Sequence, residues 1–524
     1  LNTIEQFNLS VDSLQARELT NYYFKNSRLQ MRPAVEEVAY QAALVSPPVW
    51  FDSGTFDVGG EKHVLCLNGM VYRLDTGAAV GAGIGGGINN TSLTNTKHSD
   101  LDMLIGAREP RPIVSPFTTY TIATGVLPGT ISALQITSAC SHKGRLYYAN
   151  TTQIDFGDVS QDRGTMPAAN TFDFKQVLDG EYISRIFSLS GQSGAANDSV
   201  FVIFGTQGKV LVYAGDSPKS ANWNLIGSYN MPAPVGRNAF VELDGDIFVA
   251  GVDYCYWFKD VMLGGGQSAY ENSPSKDIQN LWKGLTVTGV SHIKELDLIV
   301  AFSASNVGST LQINNWANYG KTTIPVDSYY GWLVYHKTLK CFAFWNMLPS
   351  TTCGMREVSP SGGNIKTFYM LGTRSVYALN ANKAIDVTTE RGTVSIETSW
   401  KTPYLSAFEG VGNKVNSVRV WFENTVSGYF EKVRAIFDYS DYNVSLGWYT
   451  QSTITQVPPA NYGDGQNDGA AESANQYHPV IGASGQGGGV SFQFTQKAKS
   501  GSSTTQNQSI YAATAYIEEA GELW

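Results

Sequence analysis

The segment 206–251, TQGKVLVYAGDSPKSANWNLIGSYNMPAPVGRNAFVELDGDIFVAG, constrains this chain more than any other. The runs 209–214 (KVLVYA) and 240–250 (FVELDGDIFVA) are rich in β-branched and aromatic residues, and each contains or adjoins a glycine turn. Thr206-Gln207-Gly208 and Asp244-Gly245-Asp246 supply the positive φ that tight hairpins demand. Between them Pro232 and Pro234 lack the N–H that a central strand donates, so the middle of the segment is a crossover. Hairpin, proline crossover, hairpin is how a β-propeller hands its chain from one blade to the next. Trp223, Gly236 and Arg237 lie in the same stretch. An Arg in that position clamps backbone carbonyls or an Asp between blades, or reaches a neighbouring subunit.

The hairpin signature recurs. Asn68-Gly69 and Lys143-Gly144 are turn dipeptides flanked by strand-forming runs, and further hairpins read from 290–302, 331–345 and 366–379. Seven hairpins centre near residues 69, 144, 208, 245, 296, 338 and 372. Their mean spacing of about 50 residues matches a four-stranded blade of ~40–50. The gaps are uneven, so some blades show two hairpins and others one. The expectation is an all-β chain: a six- or seven-bladed β-propeller over 56–387, preceded by an N-terminal arm at 1–55. A second, β-sandwich-like C-terminal module follows at 388–524, where longer strands alternate apolar and polar residues. The stretch 458–489 is so loaded with Gly, Asn, Gln and Ser that it reads as a long exposed loop. Residues 10–21 read as a short helix with Ser10 or Asp12 as its cap, and 22–33 as an extended arm ending at Arg32-Pro33.

Composition agrees with an all-β chain. Charged residues make up only 15%, against about 25% in an average domain, and 53 glycines with 12% aromatics fill the gap. A formal net charge of −9 without any dense basic run argues against a surface that grips nucleic acid. No stretch approaches the ~20 apolar residues of a membrane span, so no membrane insertion is expected. The first residues have neither the basic start nor the apolar core of a secretory signal, so nothing in the sequence is expected to export the chain.

No constellation demands chemistry. Gly81-Ala82-Gly83-Ile84-Gly85-Gly86 matches G-x-G-x-x-G, but the Gly87-Ile88-Asn89-Asn90 that follows starts no helix, so it reads as a glycine loop. The cysteines Cys66, Cys140, Cys255, Cys341 and Cys353 form no C-x-x-C pair and read as small buried strand residues. The histidines His63, His98, His142, His292, His336 and His478 have no metal-ligand spacing, and His142 and His336, at hairpin turns, read as exposed. Asp100 with Asp102, Asp155 with Asp158, Asp244 with Asp246, and Asp386 with Glu390 are candidate carboxylate pairs for glycoside cleavage, although most sit where turns favour Asp. The clusters Tyr147-Tyr148, Tyr254-Cys255-Tyr256-Trp257 and Tyr329-Tyr330 read as packing between blades, or as sugar-stacking rings if exposed. No catalytic residue, cofactor or metal is expected.

Several motifs resemble one family. Residues 223–229 (WNLIGSY), 231–237 (MPAPVGR) and 241–249, with 205–216 before them, resemble the tail nozzle proteins of short-tailed phages. Residues 28–33 (RLQMRP), which carry Arg28 and Arg32, resemble the N-terminal arm of such proteins. Residues 147–158 (YYANTTQIDFGD) resemble a blade edge of theirs, with Val159 where a proline is usual. The resemblance implies a non-enzymatic virion protein, made in the host cytoplasm. It implies a ring, usually of six copies, below the portal and adaptor, with tail fibres or spikes as neighbours. Genomic DNA would pass through the ring without sequence-specific binding. On this reading Trp223, Pro232, Pro234, Gly236, Arg237, Arg28 and Arg32 are structural or interface residues. The competing readings are a carbohydrate-binding or glycoside-cleaving propeller and a propeller that serves as an interaction scaffold.

Overall fold

The strand-forming runs become strands nearly everywhere. The computed structural model describes residues 136–161, 164–190, 199–236, 238–293, 296–306 and 330–347 continuously, and elsewhere separate strands and short segments within 4–40, 55–127, 310–325, 355–402, 413–437 and 476–519. The described part is an all-β chain with one longer helix and one short one. Among the described residues, no helix is long and apolar enough to cross a membrane.

Seven antiparallel sheets follow one another along 55–380. Strands between 55 and 80 make the first and strands between 94 and 113 the second. The third is a meander of β1 (Ile136–His142), β2 (Arg145–Asn150), β3 (Gln153–Phe156) and β4 (Thr171–Asp173). The fourth has the same form: β5 (Ile183–Ser190), β6 (Ser199–Gly205), β7 (Lys209–Ala214) and β8 (Asn224–Asn230). The fifth has three strands, β9 (Phe240–Leu243), β10 (Asp246–Ala250) and β11 (Cys255–Trp257), and continues into α1 (Phe258–Glu271) and the short α2 (Gln279–Gly284). The sixth contains β12 (Val287–Ile293), β13 (Leu298–Asn306), β14 (Tyr330–His336) and β15 (Cys341–Met347). The seventh begins with Met355–Val358, Thr367–Leu371 and Ser375–Asn380 and continues through Ala34–Tyr40 to Ile385–Thr388 and Gly392–Ser395.

All seven expected hairpins pair as antiparallel neighbours. The turn chemistry is the reason. Lys143 and Gly144 sit at φ 47° and 72°, and Asp244 and Gly245 at 51° and 70°, the double left-handed pair of the hairpin turn that matches strand twist. The hairpins at 296 and 338 belong to one sheet, with Thr310–Asn314 and Lys321–Pro325 inserted between them as a two-stranded ribbon. Sheet follows sheet in a fixed way. Thr94–His98 lies against β1, β1 against β5, β9 against β12, and β12 against Met355–Val358. At these four junctions, first strands neighbour first strands.

The described N-terminal strands pair with distant parts of the chain. Ala34–Tyr40 pairs antiparallel with Ser375–Asn380 as the fourth strand of the seventh sheet. Ile4–Leu9 pairs with Ser509–Glu519, the hairpin Tyr22–Lys25/Arg28–Met31 joins that strand through Leu29, and Glu18–Thr20 bridges Glu397–Lys401 to Phe344. The helix expected over 10–21 is a strand at its described end, Glu18–Thr20, because pairing partners outweigh a weak local propensity. At the other terminus, Asn413–Glu423 lies between Ser509–Glu519 and Val480–Gly487, and Val490–Ala498 pairs with both Glu397–Lys401 and Tyr429–Phe437. The loop expected over 458–489 is corrected in part. Gln476–Tyr477 and Val480–Gly487 are strands held by backbone bonds to Asn413–Glu423, which a Gly-rich composition does not advertise. Residues 458–475 lie outside the described residues.

Among the described residues, two large apolar clusters fill seams between sheets. One gathers Tyr147, Phe156, Phe174, Phe201, Ile203 and Leu211 between the third and fourth sheets. The other runs from Phe187 and Phe204 through Phe240, Phe248, Tyr256 and Trp282 to Leu333 and Phe344. Each large side chain buried this way contributes about 1.5–3 kcal/mol. The expected packing role of Tyr147, Tyr148, Cys140, Cys255 and Tyr256 is what the structure displays, since all five are buried.

Candidate functional site

The crossover is built as its prolines require. Met231 to Ala233 form no strand, and Pro234 makes one isolated bridge to Gly251. Backbone bonds tie it to β10 and the turn after it: Val235 donates to the Ala250 carbonyl at 3.0 Å, and the Ala233 carbonyl accepts from the N–H of Val252 at 2.9 Å. Asn238 then accepts from the N–H of Val290 at 2.7 Å, which ties the crossover to the sixth sheet. Gly208 is fixed by both its φ of 107° and its neighbour, since a Cβ there would lie 1.8 Å from the carbonyl oxygen of Met231. Gly236, by contrast, has open space around it and no positive φ, so neither sterics nor backbone conformation demands glycine there. Arg237 lies outside the described residues. So do the glycine loop 81–87, Asp100, Glu390 and the side chain of Arg28.

Trp223 packs between sheets. Its ring stacks on Tyr213 at 5.1 Å and 12°, and tilts against Phe201 at 5.6 Å. Its Nε1 is buried without a hydrogen-bond partner among the described residues. His142 completes this aromatic box, lying 5.9 Å from Tyr147, 5.4 Å from Phe201 and 6.2 Å from Trp223. The expectation that His142 is exposed at its turn is wrong: it is 1% exposed. Its Nε2 lies 3.0 Å from the Gly215 carbonyl, which can only accept, so Nε2 carries the proton. Nδ1, 2.7 Å from the Ser188 Oγ, then accepts from that hydroxyl. Burial lowers the pKa of His142, as does the charge of Lys143, while the Gly215 hydrogen bond and Asp216 oppose the shift. His142 is therefore a neutral link between the third and fourth sheets. His336 is likewise half-buried beside Asp297, and burial lowers its pKa.

Arg32 is also not at a surface. It is 2% exposed, and its Nη1 and Nη2 donate to Asp386 Oδ1 and Oδ2 at 3.1 and 2.7 Å. Its remaining donors reach Asn21 Oδ1 and the Pro33 carbonyl, while Asp386 Oδ1 also accepts the N–H of Val35 at 2.7 Å. The candidate acid Asp386, on Ile385–Thr388, is thus the buried counter-ion of Arg32 beside the neighbouring strand Ala34–Tyr40. The other described candidate acids hold backbone or pair with cations. Asp155 is buried against Thr171, Asp158 is exposed 3.6 Å from Arg145, and Asp244 pairs with Lys337. Asp246 Oδ1 accepts from the N–H groups of Ile247 and Lys259, capping α1, whose own N-cap, Trp257, offers no side-chain bond.

One recess combines charge and rings. About 270 Å³ in volume, it lies between the fifth and sixth sheets, lined by Leu243, Asp244, Asp246, Trp257, Lys259, Tyr335, Lys337 and Lys340. Sequence reasoning missed it because its lysines come from two elements some 80 residues apart. Among the described residues, no group of three or more His, Cys, Asp or Glu is placed to hold a metal.

No protein-family model matches the chain, and no curated protein matches its sequence. Its fold is similar to the extracellular domain of a one-component system from B. thetaiotaomicron, at 9% identity and a TM-score of 0.39, over 77% of this chain and 56% of that one. It is similar to the extracellular domain of a hybrid two-component system from the same organism, also at 9% identity and a TM-score of 0.39, over 78% of this chain and 59% of that one. Raptor from Chaetomium thermophilum aligns at 13% identity and a TM-score of 0.28, over 51% of this chain and 23% of Raptor. The chain thus spans less than two thirds of each of these structures.

Proposed function

We propose that this chain is a structural protein of a virion tail, a nozzle that assembles as a ring around a DNA exit channel. The observation that carries the fold part of this reading is the pairing of Ala34–Tyr40 with Ser375–Asn380. Seven consecutive sheets, with first strands adjoining at four of their junctions and a fourth strand of the last sheet taken from the N-terminal residues, fit a seven-bladed propeller closed by its own terminus. The tail role rests on the resemblance of 223–249 and 28–33 to short-tailed phage nozzles, and the first of these segments lies at a sheet-to-sheet crossover. On this reading six copies form the ring below the portal and adaptor, and fibres or spikes attach outside. A chain of net charge −9 offers DNA few phosphate-binding cations, which suits a conduit through which DNA must slide. A closed ring needs two different complementary faces per subunit. Cryo-electron microscopy of the source particle tests the proposal. The expected result is a multi-copy ring with an open axis at the tail, and a particle whose tail lacks such density overturns it.

A further inference from the structure

We propose that the recess between the fifth and sixth sheets binds an acidic monosaccharide unit. This site is independent of the ring reading, since it lies within one chain. In a chain with more acids than bases, three ammonium groups (Lys259, Lys337 and Lys340) converge on one recess. Lys337 is paired with Asp244, a carboxylate 73% exposed, while Lys259 and Lys340 have no carboxylate within ion-pair distance among the described residues. Their fields reach Asp246 and Asp260 without forming a contact. The Asp246 carboxylate is instead engaged by two backbone N–H groups at the start of β10 and α1. Two ammonium groups are therefore free to take a carboxylate, in a concave site with low-dielectric walls that strengthen the field.

The rest of the lining narrows the ligand. Trp257 is half-buried, and the Lys337 Nζ lies 5.9 Å from its ring centroid, so the ring and the lysine stem form an apolar wall. Tyr335, nearly fully buried, forms the floor. Asp244 and Asp246 bring acceptor oxygens. A bare oxyanion has no hydroxyls for the oxygens of Asp244 and Asp246 and no apolar face for Trp257, and a neutral sugar leaves two ammonium groups unmatched. A uronic-acid-type sugar uses everything. Its carboxylate faces Lys259 and Lys340, its hydroxyls donate to Asp244 and Asp246, and its C–H face lies on the Trp257 wall. The volume of about 270 Å³, at the lower end of ligand pockets, admits one such unit.

Isothermal titration of the full chain at low salt, with D-glucuronate, D-glucose and inorganic phosphate, tests this. Glucuronate is expected to bind at least tenfold more tightly than glucose or phosphate, and more weakly as salt rises. Lys259→Gln and Lys340→Asn are each expected to weaken glucuronate about tenfold, the scale of one charge-assisted contact. Lys283→Gln, whose charge pairs with Asp253 outside the recess, is expected to leave it unchanged. Lys340 is exposed at φ 53°, a conformation that Asn adopts readily, so Lys340→Asn folds and remains informative even where Lys259→Gln lowers stability. No glucuronate binding, equal binding of glucose, tighter binding of phosphate, or unchanged affinity in Lys340→Asn overturns the proposal.

Discussion

A single imidazole sets an acid limit on the seam between the third and fourth sheets. His142 is held neutral by burial, with its proton on Nε2 toward Gly215 and its lone pair toward Ser188. Its folded pKa lies below the ordinary value of 6.5, so at acidic pH the unfolded chain binds the proton more readily. The stabilisation is complete above pH 6.5 and declines as pH falls from there toward the lowered folded value, by at most about 1.4 kcal/mol per pH unit for one proton. The depression of the His336 pKa adds in the same direction. Thermal unfolding from pH 7.5 to 5 is expected to show a falling midpoint, and His142→Asn is expected to flatten part of that slope. A slope as steep in the variant as in the parent would remove His142 from the account. That residue was legible in the sequence only as a histidine beside a turn. Its burial depends on Phe201, Trp223 and Gly215, which come from 59 or more residues further along the chain.

At the level of elements, the sequence was most readable where a turn dictates backbone conformation. Lys143-Gly144 and Asp244-Gly245 place their hairpins by chemistry that acts within four residues. Gly208 adds a longer-range constraint, because the turn of one hairpin lies against the proline crossover that leaves the same sheet. Gly208→Ala is expected to destabilise by about 2–4 kcal/mol, combining a positive-φ penalty with a backbone collision that no rotamer relieves. Calorimetry of the variant checks this, and a cost below about 1 kcal/mol would show that the crossover yields freely. Helix α1 was not legible. Its Gly264 and Gly265 depart from helical geometry, and its start depends on a cap from Asp246, twelve residues before its first residue. Val480–Gly487 was hidden for a related reason: a strand held by backbone pairing to Asn413–Glu423 needs little side-chain pattern of its own.

For the whole molecule, the decisive link joins residues more than 350 positions apart. The bidentate Arg32–Asp386 pair, 3% exposed on each side, lies where the N-terminal strand enters the seventh sheet. Removing one buried partner strands the other's charge, at a cost of about 3–5 kcal/mol, whereas replacing both with apolar residues is far milder. Asp386→Asn is therefore expected to lower the unfolding midpoint sharply, and Arg32→Met combined with Asp386→Leu to recover much of the loss. A double variant as unstable as the single one would show that the hydrogen bonds to Asn21 and Val35, and not the charge pair, hold the strand. The sequence does not announce this link, because strand partners are chosen by geometry across the whole fold, which composition does not encode.

The all-β character, the seven hairpins and the crossover that cannot be a central strand are written into the chain locally, because β-branched runs, turn glycines and prolines act through φ and missing donors. That residues 34–40 join the last sheet, that Arg32 and His142 are buried, and that lysines from α1 and from the turn after β14 share one recess follows from the folded arrangement alone. Those facts depend on which distant surfaces meet, and burial and pairing energies are properties of the meeting and not of either segment alone.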